Sequence, residues 1–310
     1  MAKNNIYITF LFITFRILCT DTICHAQYDT SSRFAIPIEL DSVVVKSGFD
    51  PKAFIRRVQN DTTFYKAFRS MHLVPFTSVN SFIAYNKQGG IAATMHNNTR
   101  QKIDNNGCRI TETKEQHATG DFFKRNGGLN YYTAELFNNL FFSDTPVCHQ
   151  DDIVAGGFVK YGGGRMEKNK YELKQLIFNP GSKVSGIPFM GDRASIFDDE
   201  EAVKYDFKIK RELYKGQESY MFSITPKPAY NHKVVYNELV TWFRCSDFSI
   251  LARNYSLSFS TLFYSFNVVM KVQTRQIGTK LYPVSIQYNG TWHVISKKTE
   301  QMRVDMEVTY

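Results

Sequence analysis

From Val203 to the end of the chain, apolar and polar residues alternate with a period of two. Val203, Tyr205, Phe207 and Ile209 alternate with Lys204, Asp206, Lys208 and Lys210, the pattern of a strand with one face in a core and one in water. Tyr220, Phe222 and Ile224 form the next strand after a turn at Lys215-Gly216. Further strands are predicted over residues 233–244, 248–257 and 262–272, the last with Leu262, Tyr264, Phe266, Val268, Met270 and Val272 on one side. Tyr282, Val284, Ile286 and Tyr288 then lead into Asn289-Gly290, a dipeptide that predicts a two-residue hairpin turn and a return strand over residues 291–296. Val304, Met306, Val308 and Tyr310 close the chain in the same alternation. So many strands joined by short turns predict an antiparallel meander.

The first half has a different period. Asp50 is placed to cap a helix and Pro51 fits its first turn, with Phe54, Val58, Tyr65 and Phe68 at near-helical spacing over residues 50–71. Phe82 and Ala84 face Ile91, Ala93 and Met95 across Gly89-Gly90 as a hairpin. Tyr132, Leu136, Phe137, Leu140 and Phe141 make a second helix over residues 130–142, and Leu173, Leu176 and Ile177 a third over residues 167–178, stopped by Pro180-Gly181. A wide sheet with one apolar face needs a cover, and these helices supply one. The expected fold is therefore α+β: a large, curved antiparallel sheet, like a half-barrel, wrapped on helices from the amino-terminal half. One domain is expected over residues 49–310, after an extended arm at residues 27–48.

The amino terminus changes the picture by placing the protein outside the cytoplasm. Lys3, an apolar run from Ile6 to Phe15, and Ala26 before Gln27 read as a secretory signal peptide over residues 1–26. The run is shorter than the ~20 residues of a spanning helix. Arg16 stands three before Cys19 and Asp21 three before Cys24, where lipidation requires small residues. Cleavage leaves Cys108, Cys148 and Cys245 in an oxidising compartment. Cys108 and Cys148 lie in loop-like stretches and are expected to form a disulfide, whereas Cys245 ends a strand and is expected to be packed. The formal net charge of +9 is spread without a dense basic run, so it reads as a solvated basic surface. A membrane surface is a possible partner; nucleic acid is not.

Candidate chemistry is sparse. The histidines His72, His96, His117, His149, His232 and His293 are scattered, and Cys148, His149, Asp151 and Asp152 are the one local cluster of reactive types. A disulfide at Cys148 removes its nucleophile. Gly162-Gly163-Gly164-Arg165 lacks the lysine and hydroxyl of a phosphate loop, and Asp198-Asp199-Glu200-Glu201 lacks the alternating ligands of a calcium loop. No cofactor, metal or enzymatic activity is expected.

Across residues 200–310 the meander, with Trp242, Arg244, Ile250, Arg253 and the Tyr282-Pro283 strand, resembles the envelope lipoprotein-carrier or lipoprotein-sorting half-barrel family (LolA/LolB-like and RseB-like). That resemblance implies a bent sheet holding helices in its concave side and a lipid or acylated-protein partner; it transfers no site residue. Separately, residues 39–47 resemble the valine-rich segment that follows small modules in Gram-negative outer-membrane receptors. The aromatic content, 26 Phe and 18 Tyr, adds an apolar interior that serves as core or as a cavity for an acyl chain. The expected function is an exported protein of the periplasm or outer-membrane periphery of a Gram-negative envelope. It would bind a hydrophobic ligand or a membrane-anchored partner without chemistry, through Phe54, Val58, Tyr264, Phe266, Val268 and Met270. Two alternatives stand beside it: an outer-membrane β-barrel, suggested by the terminal aromatic Tyr310, and an envelope enzyme with an unrecognised site.

Overall fold

Asp50 accepts hydrogen bonds from the N–H groups of Lys52 and Ala53 at 2.9 and 3.0 Å and, with Pro51 in the first turn, starts α1 (Pro51–Gln59). The single helix expected over residues 50–71 is in fact two. Asn60 turns its side chain back to the carbonyl of Arg56, and Asp61 accepts from both the N–H and the hydroxyl of Thr63. These short polar side chains bond the backbone locally, which interrupts the helix. The second helix, α2, runs over Thr63–Met71.

The computed structural model describes residues 38–40, 49–148, 175–181, 190, 192–295 and 298–310. The strands among them are β1 (Ile38–Leu40), β2 (Phe76–Tyr85), β3 (Ile91–Ile103), β4 (Arg109–Gly120), β5 (Tyr205–Tyr214), β6 (Gln217–Pro226), β7 (Tyr236–Arg244), β8 (Ile250–Ser260), β9 (Tyr264–Ile277), β10 (Lys280–Val294) and β11 (Glu300–Thr309). Two more helices are α3 (Tyr132–Phe141) and a short α4 (Asp199–Ala202). The expected signal peptide, most of the extended arm, Gly162–Gly164 and most of the third predicted helix lie outside the described residues; the last turn of that helix, 175–178, is helical.

All eleven strands form one curved sheet in the order β1-β5-β6-β7-β8-β9-β10-β11-β2-β3-β4. The β1–β5 pair is parallel and the others are antiparallel. The meander of the second half is as expected, and the fold is the α+β class read from the sequence. The last strand, β11, pairs with β2, so the first-half hairpin extends the same sheet. Among the described residues β1 and β4 do not pair with each other, so the sheet stays open, whereas a spanning barrel must close its edges.

Two further sequence readings are corrected. Asn289-Gly290 makes no turn: β10 runs straight through it, with Gly290 opposite Val268 on β9 and Met302 on β11. Glycine is present for space, since a Cβ there would stand 1.9 Å from the Tyr288 hydroxyl. That hydroxyl accepts from the Trp292 indole at 2.5 Å, holding the aromatic pair around the bare backbone. Leu262 lies outside β9 and is 91% exposed, so it does not share the face of Tyr264 and Phe266.

The inner face is covered layer by layer. Phe54 on α1 packs edge-on against Phe222 and Phe243 of β6 and β7, Phe64 on α2 against Tyr255 of β8, and Phe137 on α3 against Tyr288 and Phe82. Segment 175–181 fills the gap between them: Tyr255 donates to the Ile177 carbonyl, and the Gly181 N–H donates to the Tyr236 hydroxyl at 2.9 Å. Burial of this many rings is the main stabilising term, and edge-to-face pairs add about 0.5–1.5 kcal/mol each.

Candidate functional site

The residues expected to line a ligand space are in the interior. Phe54 and Val58 are buried on α1, and Phe266, Val268 and Met270 are buried on β9, with Val268 and Met270 wholly inaccessible. Tyr264 is half-buried at the start of β9, and its phenol is pushed up to about 12 by burial. The structure does not gather all six. Among the described residues, Phe54 meets Phe49 ahead of α1 and rings of β6, β7 and the β7–β8 turn, whereas Phe266 meets Phe259 and Trp292. On β9, Val268 and Met270 are wholly shielded from solvent beside Phe266 and its ring partners.

An open cleft lies at the seam between helix cover and sheet. A cleft of about 490 Å³ runs from α1 and α2 to the β7–β8 and β9–β10 turns. Its apolar lining includes Ala67 and Leu73 at α2, Phe248 in the first turn and Leu281 after the second. Phe248 has a left-handed backbone, φ 58°, which costs a bulky residue about 1–2 kcal/mol. Its ring explains why the strain persists: it stacks on Tyr220 at 5.6 Å and 19°, and the Arg57 guanidinium lies over it at 4.5 Å. Arg57 also donates to the Asp247 carbonyl at 3.0 Å, fixing its planar head at the rim.

Two carboxylates reach the cleft, and each is engaged. Asp247 accepts from the N–H and hydroxyl of Ser249 and from Arg244 at 3.0 Å. Burial pushes this carboxyl up, but those hydrogen bonds and the Arg244 charge outweigh it and hold it below the usual range. Asp61 is bound through one oxygen by Thr63, and its other oxygen stands 3.9 Å from the guanidinium of Arg253. Arg253 is buried behind the helix break, donates to Thr241 at 2.9 Å and lies 4.5 Å over the ring of Phe64. Burial lowers its pKa against the opposing pull of Asp61.

The other sequence candidates do not assemble a centre. Cys108 and Cys148 form a disulfide, while His149, Asp151 and Asp152 lie outside the described residues. Cys245 is a free thiol, half-buried just after β7. In the acidic stretch at α4, Glu201 is paired with Lys204 at 2.5 Å. Register brings His96 directly opposite His117 on β3 and β4, a pairing invisible to local spacing. Among the described residues no three His, Cys, Asp or Glu side chains gather as a metal group, and no helix is long and apolar enough to cross a membrane. The cleft itself was not legible beforehand. Arg57, Lys66 and Arg69 hint at a basic helix surface, but Lys280 reaches it from the start of β10, more than 200 residues away in sequence.

No protein-family model matches the chain, and no curated protein matches it. Among solved structures it is similar to an outer membrane lipoprotein-sorting protein domain from Vibrio parahaemolyticus, at 11% identity and TM-score 0.25 over 83% of this chain and 88% of that one. It is also similar to a LolA superfamily protein from Nitrosomonas europaea, at 9% identity and TM-score 0.22 over 81% and 92% of the two chains. A DUF1329 family protein from Desulfovibrio piger matches at 12% identity and TM-score 0.22 over 80% and 94%. Superpositions this loose transfer no residue role to this chain.

Proposed function

We propose that this is an exported, non-catalytic protein of a Gram-negative cell envelope, in the periplasm or at the outer-membrane periphery, that binds a lipid, an acyl chain or a membrane-anchored partner carrying one. The observation that carries the reading is the cleft at the seam between α1–α2 and the sheet. Its volume lies within the ~300–1,000 Å³ of small-molecule sites, and its apolar lining adjoins the ring-filled interior behind Phe54 and Phe248. Each methylene moved from water into such a seam contributes about 0.8 kcal/mol, so a chain of moderate length offsets the cost of ordering it. None of the six residues expected to line the ligand space is in the cleft lining; Phe54 adjoins it through the ring of Phe248, so the chain would lie beside Phe54 and away from the β9 face.

The test is uptake of a fluorescent fatty acid. Leu73 is 47% exposed at the cleft, so Leu73→Glu alters the lining without disturbing the core. The variant is expected to lose affinity by at least about tenfold, the effect of about 1.4 kcal/mol, while unfolding at the wild-type midpoint. Wild-type protein that takes up no probe and yields no lipid on organic extraction would overturn the reading.

A further inference from the structure

We propose that the same cleft selects an amphiphile with an anionic oxygen head, phosphate being the fullest match; this rests on the acyl-binding reading above. Four cations line the cleft: Arg57, Lys66, Arg69 and Lys280. The two carboxylates that share it are neutralised by groups outside the lining, Asp61 facing Arg253 and Asp247 bound by Arg244. Neither carboxylate is therefore engaged by Lys66 or Lys280. Lys66 and Lys280 are exposed, and among the described residues neither ammonium has an ion-pair or side-chain hydrogen-bond partner.

Arg57 adds geometry to the charge. Its guanidinium is held over Phe248 and by one carbonyl, so the donors it does not use there are already oriented when a ligand arrives. A planar fork fixed in this way matches the paired oxygens of a phosphate or carboxylate, and two flexible ammonium groups complete the shell as point charges. Like charges gathered on one cleft repel each other and raise the local concentration of anions. The apolar lining at Ala67, Leu73 and Leu281 gives the site its second part. A lining that combines cations with apolar side chains suits a ligand that carries both an anionic head and a hydrocarbon chain.

Three probes on the full-length exported protein separate the possibilities: lysophosphatidic acid, the monoacylglycerol of the same chain, and inorganic phosphate. Lysophosphatidic acid is expected to bind at least about tenfold more tightly than the monoacylglycerol, as charge-assisted hydrogen bonds require, and the advantage should shrink as salt rises. The Lys66→Gln/Lys280→Gln double variant should lose most of that advantage and keep the wild-type affinity for the monoacylglycerol. Lys298→Gln, which is not in the cleft, should change neither. Equal binding of the two lipids would overturn the head-group inference and leave the acyl-binding reading standing. Inorganic phosphate binding as tightly as lysophosphatidic acid would reduce the cleft to a plain anion site and overturn the amphiphile. Binding of neither lipid would overturn both.

Discussion

Gly290 shows how one residue type supports two opposite readings. After an asparagine and between alternating strands, glycine signals a hairpin, because it alone adopts the required positive φ without cost. In the structure the same glycine is in mid-strand and serves as the floor under Tyr288. The local sequence holds both the glycine and Tyr288 two residues before it, but not the fold of that ring over the bare backbone, which strand pairing on both sides brings about. Gly290→Ala is expected to destabilise the protein by about 1–3 kcal/mol, the range for overpacking a filled interior. Because the cause is one ring, the Tyr288→Leu/Gly290→Ala double variant should cost less than the sum of its parts. Urea unfolding of the four members of this cycle checks the claim, and strictly additive values would sink it.

At the level of elements, what was legible depended on whether local chemistry or distant partners set the boundary. The start of α1 was legible because its cap is local: Asp50 bonds residues two and three positions on. The break between α1 and α2 was overlooked because apolar spacing continues across it, although Asn60, Asp61 and Thr62 are the residues that end helices. Strand β4 was missed for the opposite reason. Only its first residues are buried, and from Thr113 onward it is exposed on both faces, so no alternation marks it. The cap gives an element-level prediction: Asp50→Ala should lower stability by about 1 kcal/mol, within the range of about 0.5–2 for such losses. Asp50→Asn should retain most of that stability, because the amide oxygen still accepts the two N–H bonds. Equal losses in thermal unfolding for both variants would assign the effect to something other than the cap.

Over the whole molecule, the meander was readable from its pattern, whereas the joining of β11 to β2 rests on pairing across more than 200 residues and leaves no local mark. That pairing leaves β4 as an outer edge of the open sheet, and an unpaired edge is a template for association with another chain. The protein protects the first half of β4 in two ways. Glu112 is flanked by Lys102 and Lys114; their hydrogen bonds hold its carboxyl at about 2, well below the usual carboxylate range, so the edge stays charged there. At the start of the strand, Arg109 exchanges two backbone hydrogen bonds with Val147, each 2.9 Å, and the Thr111 N–H donates to the Ser143 carbonyl at 2.6 Å. The disulfide from Cys108 to Cys148 ties this covering segment in place across a sequence separation of 40. Cross-linking over that length is worth about 3–4 kcal/mol in the chain-entropy model, less any strain. The Cys108→Ser/Cys148→Ser variant is therefore expected to unfold at lower denaturant by that margin and, with the segment free to lift, to self-associate as its concentration rises. Cys245→Ser should do neither. Non-reducing peptide mapping that finds Cys245 in the bridge, or a double-serine variant with wild-type stability and no concentration dependence, would refute this account of the edge.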